Sequence, residues 1–210
     1  MSSLFHSRLR AVACGIAGLT CVCVLASTGV AFGASEILAS CPGQSLSAPF
    51  SQWGDTNSYF QVPGGSFEGT SDQVGWTLSG ASLTPGNEPF YVNNSSDSQS
   101  LTISAGGTAT SPYFCVDNTM SDLRFFAQET TAGSDLQVQA LVQTGNGVQT
   151  VPLEDLADGS MPSWAPTQPA GSTSGLADGR MLSVALQFSV PQSSGSWQID
   201  DVYADPYRSG

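Results

Sequence analysis

Beyond residue 33 the chain is cut by glycine, proline, serine, asparagine and aspartate into short apolar runs, and few stretches carry a helical period. That punctuation leaves strands and turns as the main building material. The clearest case is Gln137–Gln143, where polar and apolar residues alternate, as a strand with one wet face requires. Thr144-Gly145-Asn146-Gly147-Val148 follows it as a hairpin turn. Strands are predicted over Ser58–Val62, Ser66–Glu68, Gly75–Ser79, Ser100–Ser104, Tyr113–Val116, Leu123–Glu129, Leu136–Thr144, Val148–Pro152, Met181–Val190 and Trp197–Ala204. Eight to ten short strands with Gly-rich turns imply an all-β fold, an antiparallel sandwich or jelly roll. Leu153–Gly179 breaks the rhythm: Leu153–Ala157 reads as one helical turn, and the rest as a long loop around Trp164.

The first thirty-three residues have a different character. Arg8 and Arg10 precede an uncharged, mostly apolar run from Ala11 to Phe32, with Ala31 and Gly33 at the −3 and −1 positions of a cleavage site. This is the layout of a secretory signal peptide, so the chain is read as exported. Gly15, Gly18, Ser27, Thr28 and Gly29 make the run a poor membrane anchor. The expected division is signal peptide 1–33, N-terminal arm 34–63 and a sandwich domain 64–208. The arm is expected to pack through Phe50, Trp53 and Phe60.

Removal of the signal limits the chemistry. The single histidine, His6, leaves with it, as do Cys14, Cys21 and Cys23. The remaining bases are Arg124, Arg180 and Arg208, against seventeen carboxylates, a net charge of −14. Nucleic acid and anionic membrane surfaces need dense Lys/Arg patches and are excluded as partners. Without histidine there is no Ser-His-Asp or Cys-His system, and zinc and copper lose their preferred nitrogen ligand. Without lysine there is no Schiff base or Ser–Lys dyad. No Gly-rich phosphate loop is present. The catalytic option left is a carboxylate pair of the kind that cleaves glycans.

Cys41 and Cys115 survive cleavage. In an oxidising compartment two cysteines read as one disulfide, which would stabilise the fold by roughly 4 kcal/mol in the chain-entropy model. Leu38-Ala39-Ser40-Cys41 also resembles a bacterial lipobox, which would anchor the protein by lipid at Cys41. Both readings stand open.

The adjacent aspartates of Trp197-Gln198-Ile199-Asp200-Asp201-Val202-Tyr203 cannot both sit uncompensated in a core. Either a bulge turns one outward or a cation compensates it. Gly65-Ser66-Phe67-Glu68, followed by Gly75-Trp76, and the closing Ile199-Asp200-Asp201-Val202 resemble the opening and closing motifs of carbohydrate-binding modules with a galactose-binding-like jelly roll. Asp97–Leu101 resembles a segment between them, and the likeness spans about Gly64 to Tyr207. It implies neighbouring first and last strands tied by a structural calcium. Glu68 and one of Asp200 or Asp201 then become candidate ligands, with backbone carbonyls completing the shell. The whole mature chain, including Pro49-Phe50 and Trp53-Gly54-Asp55, also resembles a set of uncharacterised secreted proteins of high-GC Gram-positive bacteria, which brings no activity with it.

Sugar binding needs exposed aromatic platforms with amides or carboxylates for hydroxyls. Trp76 and Trp197, with Phe67, Phe125, Phe126 and Phe188, read as core. Trp164, Tyr91, Tyr59 and Trp53 lie in polar, loop-like surroundings and are the candidate ligand-binding aromatics, with Asn87, Glu88, Asn93 and Asn94 near Tyr91. The expected function is a secreted, non-catalytic binding module for neutral glycan. The alternative is a cell-surface domain that meets proteins; a carboxylate-based glycan-cleaving enzyme ranks third.

Overall fold

The computed structural model describes residues 43–116, 122–171 and 181–205. The signal peptide, Cys41, and hence the Cys41–Cys115 and lipid-anchor readings, lie outside the described residues. So do Arg180 and Arg208.

Among the described residues eleven strands form, in chain order: β1 (Leu46–Ser47), β2 (Tyr59–Gln61), β3 (Thr77–Pro85), β4 (Gln99–Thr110), β5 (Phe114–Val116), β6 (Leu123–Thr131), β7 (Leu136–Thr144), β8 (Gly147–Leu156), β9 (Ala165–Pro166), β10 (Leu182–Ser189) and β11 (Ser196–Ala204). Their pairings are antiparallel. One layer runs from the second half of β3 through the first half of β4 to β11, β6 and β9. The other runs from the first half of β3 through the second half of β4 to β10, β7 and β8. The two long strands β3 and β4 thus belong to both layers. The result is the antiparallel jelly-roll sandwich expected from the sequence.

Glycine makes the passage between layers feasible. Gly80 has φ +62°, and the β3–β4 register shifts between Ser79 and Ala81. A Cβ on Gly107 would stand 2.5 Å from the Gly80 carbonyl oxygen, so the two strands cross too closely for a side chain. The sequence pattern shows these glycines as strand ends, which is why β3 and β4 each extend beyond their predicted bounds.

Between the layers lies the main core. Leu101, Ile103, Phe125, Trp197 and Ile199 face Val138, Val142, Val184, Leu186 and Phe188, and Phe125 meets Phe188 edge-on at 5.0 Å. Trp76 and Trp197 are buried here, as read from their strand pattern. Two expectations change. Ser66–Glu68 is not a strand: Phe67 sits at φ +55° in a turn, held because Val62 and Gly65 bond to Val202 on either side. Leu153–Ala157 makes no helical turn, because β8 continues to Leu156 against β7 through a bulge at Val138/Gln139.

The predicted N-terminal arm contributes β2, which pairs with the end of β11. It also supplies a second, smaller core. Phe125 points inward, so its neighbour Phe126 must point out; Tyr203 does the same between inward Val202 and Ala204. On that outer face Phe50 and Tyr59 join Phe126 and Tyr203, with Trp53, Val92 and Trp164 packed around them. Burial of this aromatic group fixes the arm to the sandwich.

Candidate functional site

A cavity of about 500 Å³ opens beside that aromatic cluster, between the arm and the segment following β9. Trp53 forms one wall, Pro166 and Pro169 another, and Asn57, Gln168, Asp55 and Arg124 supply polar groups. A short 3₁₀ turn, Ser51–Trp53, presents the indole, and Gly54 ends it at φ +84°. The Trp53 ring is held edge-on against Phe90 at 5.0 Å and Phe126 at 5.4 Å.

The polar floor is fixed from below. Arg124 is buried, and its guanidinium lies 4.2 Å over the Phe50 ring. Its Nε and Nη2 donate to the Thr167 carbonyl at 2.9 and 2.7 Å, and its Nη1 donates to Asp55 Oδ2 at 2.6 Å. Asp55 Oδ2 also accepts the Tyr59 hydroxyl at 2.6 Å, while Oδ1 accepts the Asn57 N–H at 3.1 Å. Burial alone would raise the Asp55 carboxyl. The hydrogen bonds from Tyr59, Asn57 and Arg124 outweigh it and hold Asp55 below its ordinary value. Asp55 is therefore ionised beside a compensating cation, and the floor carries no net charge. With aromatic, amide and charge-neutral polar groups together, this cavity has the chemistry of a site for a neutral polyhydroxylated ligand.

The four aromatics proposed from sequence do not form one platform. Trp53 lines the cavity. Trp164 packs, half-buried, on the aromatic cluster. Tyr91 is 49 % exposed at φ +51° and lies apart from the cavity wall. Tyr59 is corrected: it is fully buried, and its ring and hydroxyl serve the cluster and Asp55, so it presents no face to a ligand. Sequence reasoning missed Arg124, Asp55 and Gln168. The one local signal was Trp53-Gly54-Asp55; the Arg124 partner is sixty-nine residues away in sequence.

An acidic centre lies where β11 shifts register against β6. Asp200, Asp201 and Glu88 are all fully buried. The bulge foreseen at the paired aspartates is present: the β11–β6 register shifts between Asp200 and Tyr203, and Asp201 sits at φ +47°. The bulge nevertheless leaves both carboxyls inside. Asp200 accepts the N–H of Glu88 at 3.1 Å and that of Asp201 at 2.9 Å. Glu88 in turn accepts the N–H groups of Phe90 and Val92 at 2.5 and 2.9 Å, strapping that loop down. Glu68 holds the next loop, accepting the N–H groups of Ser98 and Gln99 at 2.7 Å each. Asp201 Oδ1 accepts Gln61 Nε2 at 3.1 Å, whereas its buried Oδ2 has no hydrogen-bond partner.

Burial, and then the charge of Asp201, pushes Asp200 up to about 9. Burial, and then the charges of Glu88 and Asp97, pushes Asp201 up to about 8. Glu68, Asp200 and Asp201 do not close into a three-carboxylate cage. Among the described residues no three His, Cys, Asp or Glu side chains form a metal-holding group. The observation that fits a hard cation is narrower: one orphaned, buried carboxylate oxygen, on Asp201, with further buried acids around it and oxygen donors only.

No protein-family model matches the chain, and no curated protein matches it. Solved structures do resemble it. The CBM22-1 xylan-binding domain from Paenibacillus barcinonensis is 17 % identical over 69 % of this chain and 93 % of its own, with a TM-score of 0.48. The CBM22-1–GH10 modules of a Clostridium thermocellum endo-1,4-beta-D-xylanase, complexed with xylohexaose, are 13 % identical over 69 % of this chain and 28 % of that longer one, also at 0.48. A family 16 carbohydrate-binding module is 17 % identical over 67 % and 95 %, at 0.42. The likeness is one of fold. Among the described residues no helix is long and apolar enough to cross a membrane.

Proposed function

We propose that this chain is a secreted, non-catalytic module that binds neutral glycan in the cavity walled by Trp53. The observation that carries the reading is the combination, in one cavity of about 500 Å³, of an indole wall, two amides and a charge-compensated Asp55–Arg124 floor. An aromatic face covers the C–H side of a pyranose, while fixed polar groups take its hydroxyls. The loss of histidine with the signal peptide and the absence of lysine favour holding over cleaving. A Cys41–Cys115 disulfide closes the arm in this reading.

A structural calcium belongs to the same proposal. Asp201 Oδ2 would be its side-chain ligand, with backbone carbonyls and with Glu68 or Asp200 as lesser contributors. The bound ion would neutralise the buried acids and so steady the Phe90–Val92 strap that backs Trp53.

The test is a glycan array with the wild-type protein and Trp53→Ala. Binding to neutral glycans that is lost in Trp53→Ala, with Tyr91→Ala unchanged, supports the reading. Binding that survives in Trp53→Ala places the ligand elsewhere, and no binding to any glycan overturns the function.

A further inference from the structure

We infer that the Asp55–Arg124 pair reads two adjacent hydroxyls of an uncharged sugar and turns away sugars that carry a carboxylate, an inference that rests on the glycan reading above. Arg124 has five N–H donors. Three are engaged inside the protein, by Thr167 O and Asp55 Oδ2, and the stack on Phe50 fixes the plane. One N–H on each Nη remains. Asp55 Oδ1 accepts a single hydrogen bond, from the Asn57 N–H, and so keeps an acceptor position.

The Asp55 side chain is 14 % exposed and the Arg124 side chain 5 %, and both line the cavity. A fixed acceptor beside a fixed donor matches a vicinal diol: one hydroxyl donates to Asp55 Oδ1, and its neighbour accepts from an Arg124 Nη. Three lower contacts, from Thr167, Tyr59 and the Asn57 N–H, hold the pair in place. The diol therefore meets a preorganised couple.

A uronic acid meets the same couple unfavourably. Among the described residues the cavity is lined by one cation, and it is already compensated by Asp55 at 2.6 Å. The surrounding chain is strongly acidic. A second carboxylate would face Asp55 without a free counter-charge, and like-charge juxtaposition is a strong means of rejecting a ligand.

The experiment uses the whole mature protein and calorimetric titration with xylotriose, galactotriose, their fully O-methylated forms, and trigalacturonate. The wild type should bind at least one neutral trisaccharide, and trigalacturonate at least about tenfold more weakly. Full O-methylation, which removes every diol and leaves charge unchanged, should abolish binding. Asn57→Lys adds a cation to the wall while keeping the Asn57 N–H contact and the pair, and should raise trigalacturonate affinity about tenfold. Asp55→Asn, if it folds, should show the same gain because Arg124 is left uncompensated.

Equal wild-type binding of trigalacturonate and neutral sugars overturns the selectivity but leaves the glycan reading standing. Undiminished binding of the methylated sugars overturns the diol contact. Failure of every sugar to bind removes the glycan reading itself.

Discussion

The two outer faces of the sandwich begin from the same material and end differently. On the β10–β7 side, Gln139 Nε2 donates to Gln187 Oε1 at 2.6 Å and Gln187 Nε2 to Thr110 Oγ1 at 3.1 Å, a row of amides and hydroxyls across three strands. On the β11–β6 side a similar row links Gln128, Gln198 and Thr102, at 2.5 and 3.3 Å. That second face continues past Gln198 into the Asp200–Tyr203 bulge, and there the arm, the aromatic cluster, the cavity and the acidic centre gather. The lesson is that alternation bearing amides and hydroxyls makes a polar sheet surface, whereas outward aromatics recruit a covering arm and the break at the bulge traps carboxylates. Such departures from local regularity are where function is expected to reside.

The comparison is broken most severely at Arg124. Arg124→Met removes the pair that joins the arm to β6, leaves Asp55 without its cation, and should cost about 3 kcal/mol in chemical denaturation. Next in size is an effect of pH in chelator. Asp200 and Asp201 titrate near 9 and 8 in the folded protein, against an ordinary value of 3.8. The folded state therefore holds more protons than the unfolded state across that window. The contribution of these two acids to stability is complete below about pH 4 and is lost as pH rises through the folded values. Asp55, held low, acts in the opposite sense: its contribution is present above its unfolded value and is lost as pH falls through its folded one. Melting in chelator should thus drop by several degrees between about pH 5 and about pH 9, and calcium should remove most of that drop. A flat chelator profile would contradict the buried acids, and a calcium-insensitive one would contradict the ion.

Smaller changes sharpen the contrast. Tyr59→Phe keeps the ring but deletes the hydroxyl that bonds Asp55, and should cost about 1 kcal/mol. On the regular face, Gln187→Ala removes the centre of a half-buried amide row that water can replace, and should cost no more than about 0.5 kcal/mol. A larger loss at Gln187 than at Tyr59 would reverse the ranking of the two faces.

Much of the fold was legible in the sequence because its signals are local. The Leu136–Thr144 alternation gave β7 at its observed bounds, the Thr144–Val148 turn gave its hairpin with a return strand shorter than the observed one, and Trp197–Ala204 gave most of β11. Glycine misled at the layer crossing, since Gly80 and Gly107 kink β3 and β4 where the pattern reads a stop. The Leu-Glu-Asp-Leu spacing misled at β8, where pairing with β7 overrides a helical turn. The site was less legible, for a different reason. Tyr59 looks exposed from its polar neighbours, but its burial depends on Phe126 and Tyr203, more than sixty residues away. Arg124 carries no local sign of its role, which arises only when β6 meets Asp55 from the arm. Asp200 and Asp201 were legible as a problem, and the bulge resolved the strand geometry without resolving their burial.

The central claim places a neutral sugar on the irregular face, against Trp53. The most direct measurement is the NMR response of the isotope-labelled protein to xylotriose and galactotriose, read at the Trp53 indole N–H and at the side-chain amides of Gln139 and Gln187. The expected result is a saturable shift of the Trp53 indole resonance, with the Gln139 and Gln187 amides unmoved. Saturable shifts at Gln139 and Gln187 with Trp53 silent would put the ligand on the regular face and contradict the account.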